Sequence, residues 1–346
     1  MRLLGGIDIG GTKCAVTLGR STGGEIEVIA KQRFPTPASP LEALKAMTDA
    51  LQELLFERSA RLPAKASQES SSDPSTGYSP EKLSAIGISC GGPLNSKAGL
   101  VLGPPNLPGW DRVDVVGPFQ DHFHVPVGLQ NDANACALAE WKWGAGRGYS
   151  NLIFLTFGTG MGAGLILDGR LYSGTNDMGG EVGHVRLAEE GPIGYGKAGS
   201  FEGFCSGGGI AHLARQMAHA NIVRGTPVAF CNALSDLDHV TAATVAQAAN
   251  DGDPLANEVF RISGQRLGQG ISVLIDILNP ERIIIGSIYQ RQEALLRPHM
   301  LEQIAREAIP LSASVCEVVP AALGDAVGDL ASLSVAEYIC EQGSSK

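Results

Sequence analysis

Residues 3–18 read LLGGIDIGGTKCAVTL, two apolar runs joined by a short stretch of small residues. Leu3–Ile9 and Cys14–Leu18 have the composition of β-strands, and Gly10–Lys13 between them has the chemistry of a hairpin turn. The same layout of strand, glycine-rich turn and strand recurs at residues 151–172, NLIFLTFGTGMGAGLILDGRLY, with the second strand expected over residues 165–172. This recurrence predicts two similar halves, each with a glycine-rich turn.

The rest of the first half predicts helices and strands in the mixture typical of an α/β protein. A strand at Glu25–Arg33, a helix at Pro40–Arg58 and a strand at Leu83–Ser89 follow the hairpin, so the order is β-β-β-α-β. Residues 63–80 are rich in Ser, Gln, Glu and Pro and predict a flexible surface insertion.

The second half begins with a strand at Val125–Leu129 and a helix at Ala133–Trp143, which places Asp132 at the strand-to-helix junction. Farther along, Asp253 and Pro254 form an N-cap and first-turn pair for a long amphipathic helix. A short buried strand, residues 282–285, is expected to end at a glycine.

Composition indicates a globular protein of enzyme size. The 346 residues include 44% hydrophobic and 18% charged side chains, and a net charge of −10 repels phosphate polymers and anionic lipids. No run of about 18 apolar residues and no signal-peptide core occurs. The seven cysteines never stand in CxxC spacing, which is typical of reduced thiols. We therefore predict a cytoplasmic protein with neither a nucleic-acid nor a membrane partner.

The two glycine-rich turns predict phosphate binding. At Asp8–Lys13 a carboxylate precedes two glycines and a hydroxyl, so bare backbone N–H groups can approach phosphate oxygens while Asp8 holds Mg²⁺, directly or through water. A Gly-Gly hairpin taken alone is equally consistent with a structural turn. The second turn, Phe157–Gly164, has neither the Lys-Ser/Thr of a Walker loop nor a following helix, so it is not a dinucleotide fingerprint. Together the turns predict a nucleotide clamp split between two lobes.

Four motifs closely resemble the ROK family of sugar kinases and related repressors: DIGGTK at 8–13, NDANACALAE at 131–140, TFGTGMGAG at 156–164 and GGEVGH at 179–184. The resemblance extends from about residue 3 to about residue 338. It implies the two-lobed, ribonuclease H-like α/β ATPase fold of actin and hexokinase, with mixed sheets and with ATP, Mg²⁺ and sugar bound in a central cleft. The expected lobes are residues 1–120, completed by a helix at about 325–346, and residues 121–324.

The resemblance also assigns roles to individual residues. It places the general base on Asp132, a residue whose position at a helix start would otherwise indicate an N-cap. Outside their motif, Glu181 and His184 would indicate a solvated acid and a core histidine. The residues expected to bind the sugar are Asn106, Asn131, Asp132, Glu181, His184 and Glu202. Those expected to bind the nucleotide are Asp8, Gly10, Gly11, Thr12, Lys13, Thr156, Gly158, Thr159, Gly160, Gly162, Gly286 and Ser287, with Asp8 also serving Mg²⁺.

The chain departs from its relatives in two places. Many ROK proteins have a CGCGxxGCxE segment that binds structural zinc together with the histidine of GGEVGH, whereas residues 194–202 here read GYGKAGSFE. Tyr195 and Ser200 stand at two of the cysteine positions, so we predict no structural zinc. We expect packing and hydrogen bonds to hold the loop instead, with Tyr195 buried. Ser287 stands where relatives have glycines near the adenosine, which predicts a narrower base pocket.

Several functions remain open. The favoured one is a glucokinase-like, ATP-dependent phosphorylation of a hexose or N-acetylhexosamine, with fructose, allose and N-acetylmannosamine as alternative acceptors. A sugar-sensing transcriptional regulator is less favoured, because the charge is acidic and the residues ahead of the first turn leave no room for a helix-turn-helix. A sugar-binding ROK protein without kinase activity is the third. A homodimer is the expected assembly.

Overall fold

The computed structural model describes residues 1–61 and 82–344, which form two compact units. Unit 1 comprises the described residues of Met1–Trp143 and Ala326–Lys346, and unit 2 is Gly144–Asp325. The sequence places the division near residue 120. The structure places it after Trp143, because the strand Val127–Asn131 joins the sheet of unit 1 and the helix Asp132–Trp143 packs against the C-terminal helix. The predicted insertion, residues 63–80, lies outside the described residues.

Unit 1 is built on a mixed five-stranded sheet. Its elements are β1 (Arg2–Ile9), β2 (Lys13–Ser21), β3 (Ile26–Pro35), α1 (Pro40–Arg61), β4 (Leu83–Cys90), β5 (Leu94–Asn95), β6 (Leu100–Val101), β7 (Val113–Asp114), α2 (Gly117–Phe123), β8 (Val127–Asn131), α3 (Asp132–Trp143) and α11 (Val327–Ser344). In the order β3-β2-β1-β4-β8, the first three are antiparallel neighbours and β1, β4 and β8 run parallel. The predicted β-β-β-α-β order is confirmed.

Glycines in three neighbouring strands allow α11 to lie directly on this sheet. Gly6, Gly87 and Gly128 are register partners across β1, β4 and β8. A Cβ atom on Gly87 would stand 2.0 Å from the carbonyl oxygen of Ser332, and one on Gly128 would stand 2.8 Å from Ile339. Any larger residue would therefore push the helix away from the sheet.

Unit 2 repeats the sheet layout of unit 1. Its elements are β9 (Leu152–Leu155), β10 (Ala163–Leu167), β11 (Arg170–Tyr172), β12 (Ile193–Gly194), β13 (Lys197–Ala198), α4 (Phe201–Cys205), α5 (Gly207–Val223), α6 (Ala242–Asn250), α7 (Pro254–Leu278), β14 (Arg282–Ile285), α8 (Ile288–Arg291), α9 (Glu293–Glu307), α10 (Pro310–Ala313) and β15 (Glu317–Pro320). The order β11-β10-β9-β14-β15 again combines an antiparallel meander with parallel strands. The prediction of two similar halves is confirmed.

One predicted strand of unit 2 is wrong. Residues 165–172 do not form a single strand, because the chain reverses at Asp168 and Gly169 and returns as β11. Both turn residues have positive φ, 49° and 69°, the conformation that Asp-Gly pairs adopt in two-residue hairpins. The start of α7 is as predicted, since the Asp253 carboxylate accepts the N–H of Ala256 at 2.8 Å.

All seven cysteines are free thiols, in agreement with the sequence prediction. Among the described residues, no helix combines the length and the apolar character needed to cross a bilayer.

Candidate active site

The first glycine-rich turn, between β1 and β2, is shaped by close backbone contacts. The Gly10 N–H donates to the carbonyl oxygen of Lys13 at 3.2 Å, and the Thr36 hydroxyl donates to the Gly10 carbonyl at 2.6 Å. A Cβ atom on Gly11 would stand 2.3 Å from the carbonyl oxygen of Asn106. The turn thus requires glycine at residue 11, and residues 11–13 remain exposed to solvent.

Asn106 lies against this turn although it is far away in the sequence. Its neighbours Leu107 and Trp110 are buried in the core of unit 1, whereas Asn106 itself is exposed. Its side-chain amide lies 3.6–3.7 Å from where a Cβ of Gly91 would be. The structure therefore brings residues 105–110, PNLPGW, and the first turn together within unit 1.

Asp8 lies at the end of β1 among other carboxylates. Burial is the main cause that raises its pKa from 3.8 to about 6, and the charges of Asp132 and Asp329 act in the same direction. Lys31 and Arg33 on β3 oppose this rise. Both cations bond to the Asp329 carboxylate, Arg33 at 3.0 Å, so part of their charge is already compensated. Asp8 thus stands where a bound cation would be favourable.

The carboxylate of Asp132 is not the cap of helix α3, although the helix begins at this residue. The side-chain oxygen of Asn131 accepts the N–H of Asn134 at 2.7 Å and caps the helix instead. The Asp132 carboxylate accepts the adjacent N–H of Ala133 at 2.9 Å, and its own backbone N–H also interacts with it. Its side chain reaches solvent, yet the surrounding protein withdraws water from it and raises its pKa. These are the properties of a general base.

The second glycine-rich turn, in unit 2, is closed by Thr156. The Thr156 N–H donates to the Gly162 carbonyl at 2.9 Å, and the Thr156 hydroxyl accepts the Gly162 N–H at 2.8 Å. The Gly158 N–H donates to Gly160 at 3.1 Å. Thr156 and Gly162 therefore hold the turn together. Within the described part of the chain, the N–H groups of Thr159 and Gly160 meet no protein acceptor and are free to bind phosphate oxygens.

The GGEVGH motif and Glu202 lie against the second turn. The Glu202 Oε2 accepts the N–H of Met161 at 3.0 Å. A Cβ atom on Gly183 would stand 2.3 Å from the Met161 carbonyl oxygen, so only glycine permits this packing. The Ala163 N–H donates to the carbonyl of Gly180 at 2.8 Å. Two motifs that the sequence assigns to sugar binding and one that it assigns to phosphate binding thus share one region of unit 2.

Glu181 and His184 occupy the two ends of a short 3₁₀ turn, residues 182–184. Glu181 is exposed and His184 is half-buried. The His184 ring packs edge-to-face on the ring of Tyr195, with centroids 5.0 Å apart and planes at 75°. The prediction that Tyr195 is buried is wrong, because the residue is 72% exposed. The residue stands at the tip of the β12–β13 hairpin, where no core is available to cover it.

Hydrogen bonds hold the segment in which relatives have the zinc cysteines. Ser200 caps α4 by accepting the Gly203 N–H at 3.1 Å, and its hydroxyl donates to the Gly194 carbonyl at 3.4 Å. The Lys197 ammonium donates to the His184 carbonyl at 2.7 Å. No group of three metal-ligating side chains occurs within residues 1–61 and 82–344. The absence of structural zinc stays a prediction.

A cavity of about 470 Å³ in unit 2 borders the second turn. Its wall includes Gly158, Thr159 and Ser287, which the sequence assigns to the nucleotide. Ser287 has φ 57° and ψ −112°, a backbone conformation that favours glycine. A serine in this conformation destabilises the fold by about 1–3 kcal/mol relative to an unstrained residue. The sequence prediction missed the rest of the wall, which includes Gly207, Gly208, Arg215, Thr241 and Arg291.

The Ser-Gly-Gly-Gly run at residues 206–209 is a sequence pattern from which part of this wall could have been predicted. Ser206 caps α5, and the glycines open the first turn of the helix toward the cavity. The two arginines have no local sequence signature, because their position depends on how α5 and α8 pack.

The sequence profile of the ROK family matches residues 75–337. The chain belongs to the ROK family. A glucokinase of Halalkalibacterium halodurans is 30% identical over 333 residues, which cover 93% of this chain and 91% of the relative. A glucokinase of Streptomyces coelicolor is 28% identical over 332 residues, or 95% of each chain.

Solved ROK structures share the fold of this ROK protein. A Streptomyces griseus ROK glucokinase in complex with glucose and AMPPNP has a TM-score of 0.70 and 25% identity, over 97% of this chain and 99% of the other. A ROK family transcriptional regulator, described as a homologue of the E. coli MLC protein, has a TM-score of 0.79 and 23% identity, over 99% of this chain and 79% of the other. The predicted two-lobed, actin-like α/β class is thus confirmed.

The predicted site residues of this ROK protein are divided between its units. Unit 1 carries Asp8, Gly10, Gly11, Thr12, Lys13, Asn106, Asn131 and Asp132. Unit 2 carries Thr156, Gly158, Thr159, Gly160, Gly162, Glu181, His184, Glu202, Gly286 and Ser287. Gly286 is fixed by its N–H bond to the Leu155 carbonyl at 3.0 Å, at the end of β14.

Proposed function

We propose that this ROK protein transfers the γ-phosphoryl group of ATP to a hydroxyl of a hexose or N-acetylhexosamine. The observation that carries the proposal is that Asn131, and not Asp132, caps helix α3. Asn131 caps the helix, so the Asp132 carboxylate is available for chemistry. Relatives that are glucokinases cover almost the whole chain, which supports the same conclusion.

Asp132 would act on the acceptor hydroxyl. Its carboxylate takes the hydroxyl proton while the sugar oxygen forms a bond to the γ-phosphorus and the bond from that phosphorus to the oxygen of ADP breaks. The crowded surroundings that raise its pKa bring the carboxylate nearer to the pH at which proton acceptance is most effective. Because phosphoryl transfer needs little covalent chemistry from the protein, positioning accounts for much of its contribution.

The glycine-rich turns would bind the phosphates. The free N–H groups of Thr159 and Gly160 can donate to phosphate oxygens, and the exposed first turn can do the same. The negatively charged surroundings of Asp8 fit a magnesium ligand, since Mg²⁺ is commonly held by one or two carboxylates together with phosphates and water. When bound, Mg²⁺ would neutralise charge that develops on the phosphoryl oxygens. Asp8 would hold this ion, directly or through water.

The cavity beside the second turn would receive the nucleoside of ATP. It has a suitable volume of about 470 Å³ and borders the turn that offers N–H groups to phosphate. Ser287 in its wall carries a hydroxymethyl group that a glycine would lack, which supports the prediction of a narrower base pocket.

The acceptor sugar would be bound by Asn106, Glu181, His184 and Glu202. Asn131 would contribute through its amide nitrogen, because its oxygen caps α3. The unit 2 residues among these lie at or beside the second turn, and their carboxylate and imidazole groups suit sugar hydroxyls. Fructose, allose and N-acetylmannosamine remain alternative acceptors, because they differ from glucose in few groups. The homodimer stays a prediction.

A coupled ADP-release assay over a panel of sugars tests the proposal. With ATP and Mg²⁺, we expect ADP release that depends on at least one hexose or N-acetylhexosamine and a low rate without sugar. Calorimetric titration of the same sugars should show binding. Sugar binding without sugar-dependent ADP release would contradict kinase activity and would favour the sugar-binding protein without catalysis.

A further inference from the structure

The β12–β13 hairpin places a tyrosine where its backbone does not favour one. The hairpin has a two-residue loop, Tyr195 and Gly196, between the paired residues Gly194 and Lys197. Both loop residues have positive φ, 42° and 76°, which is the signature of a type I′ turn. Asn-Gly is the favoured pair in such turns, and an aromatic residue in the left-handed region is strained. Turn formation therefore does not explain the presence of Tyr195.

The ring of Tyr195 is available to a ligand. The residue is 72% exposed, and the contact of its ring with His184 occupies only part of the ring surface. His184 is one of the residues proposed to bind the sugar. An open aromatic surface thus lies next to a hydrogen-bonding imidazole, a combination that suits a ligand with both apolar and polar faces.

The hairpin that carries the ring is bonded to His184 and to the segments that flank it. The Lys197 ammonium bonds to the His184 carbonyl at 2.7 Å. The Ser200 hydroxyl bonds to the Gly194 carbonyl, and the N–H of Leu187 bonds to the Gly199 carbonyl at 2.8 Å. These bonds restrict the movement of the hairpin relative to His184, which preorganises the ring.

We propose that Tyr195 is a specificity-determining residue whose ring packs against the face of the acceptor pyranose that carries the axial hydrogens of C3 and C5. The inference rests on the proposed sugar-kinase function and deepens it. A pyranose with equatorial hydroxyls exposes axial C–H groups on its faces and hydroxyls at its rim, so an aromatic ring can cover a face while His184 and Glu181 bind the rim. In allose the axial hydroxyl at C3 replaces one of these C–H groups. Tyr195 therefore favours glucose and N-acetylglucosamine over allose.

Two substitutions distinguish the contribution of the aromatic ring to sugar binding from its effect on the folding of the hairpin. Tyr195→Asn creates the favoured Asn-Gly turn, so we expect the melting temperature to stay equal or to rise while the aromatic surface is lost. Tyr195→Phe keeps the surface and removes only the hydroxyl. Phe56→Ala is the matched control, because Phe56 is 74% exposed and lies on α1 of unit 1.

The readouts are the KM for each sugar and the affinity in calorimetric titration with glucose, N-acetylglucosamine, mannose and allose. For Tyr195→Asn we expect glucose or N-acetylglucosamine to bind roughly three- to tenfold more weakly and the affinity for allose to fall by less. The KM for ATP should stay within twofold, and kcat should be nearly unchanged. Tyr195→Phe and Phe56→Ala should match the unsubstituted protein.

The proposal is contradicted if Tyr195→Asn changes the affinity for all four sugars by less than twofold, or if Tyr195→Phe loses as much as Tyr195→Asn. Equal losses for allose and glucose also overturn it. If the unsubstituted protein binds sugar but releases no ADP, the kinase proposal fails while the titrations still decide the role of Tyr195. If none of the four sugars binds, both proposals fail.

Discussion

Replacing the Asp8 carboxylate by an amide of the same size is expected to stabilise the free protein and to inactivate it. In the folded state the pKa of Asp8 is raised from 3.8 to about 6, mainly by burial and further by Asp132 and Asp329. That difference corresponds to about 3 kcal/mol of free energy that the folded protein loses when Asp8 ionises. Because the side chain keeps some solvent contact, we expect Asp8→Asn to gain roughly 1–3 kcal/mol at pH 7.5.

The stability gained by Asp8→Asn should increase as the pH rises. A carboxyl group whose pKa is raised by folding favours the folded state fully below the unfolded pKa, and this contribution is lost as pH rises through the folded pKa. The difference between Asp8→Asn and the unsubstituted protein should therefore be near zero below about pH 4, increase between pH 4 and pH 6, and stay constant above.

Tryptophan fluorescence during urea unfolding measures this effect in the relevant unit, because the three tryptophans, Trp110, Trp141 and Trp143, all lie in unit 1 with Asp8. Asp121→Asn is the matched control, since Asp121 is exposed on α2, and it should change the stability by less than about 0.5 kcal/mol. Asp8→Asn should also abolish stabilisation by Mg²⁺ with ATP. A variant that is less stable than the unsubstituted protein at pH 7.5, or equally stabilised at pH 3.5 and pH 7.5, would refute this reasoning.

Three further substitutions test the geometry of the site. Ser287→Gly should raise the unfolding free energy by about 1 kcal/mol in urea titrations, because it relieves the strained backbone; a loss of stability would contradict the strain. Gly11→Ala should lower turnover at least about tenfold in the ADP-release assay, since its Cβ would collide with the Asn106 carbonyl, whereas Gly343→Ala, in open space, should be neutral. Asn131→Ala should cost about 1 kcal/mol of stability and Asn131→Ser should restore most of it; equal losses would argue against capping.

The sheet layout of this protein could be predicted from local sequence, because apolar runs and turn residues report directly on strands. The exception at residues 165–172 is instructive. The apolar residues on both sides of Asp168 and Gly169 suggested one strand, whereas the Asp-Gly pair itself was a sufficient signal for a hairpin. The turn preference of the Asp-Gly pair therefore decided the local structure, and the apolar residues on either side formed two strands rather than one.

The chemical groups of the site were predictable, but their partners were not. Asp329 contacts Lys31 across 298 residues of sequence, and Glu202 bonds to Met161 in another motif. Such contacts depend on how distant elements pack, for which a single sequence contains no local pattern. The same reason explains why Arg215 in the cavity wall was missed.

The exposure of Tyr195 shows that the burial of a loop residue is also difficult to predict from sequence. Loss of the zinc cysteines suggested that hydrogen bonds and a buried Tyr195 would hold the loop. Hydrogen bonds of Ser200 and Lys197 do hold it, whereas Tyr195 is exposed. Short hydrogen-bonded turns can hold a loop without a core, and an aromatic residue at their tip is then exposed.

The role of Asp132 as the general base is tested most directly by phosphoryl transfer from γ-labelled ATP to the best acceptor sugar, measured for the unsubstituted protein and for Asp132→Asn. The amide keeps the size and hydrogen bonding of the side chain and cannot accept the proton. We expect labelled sugar phosphate to form at least about 100-fold more slowly in the variant, with the sugar affinity in calorimetry nearly unchanged. Transfer at the unsubstituted rate by Asp132→Asn would contradict the proposed mechanism.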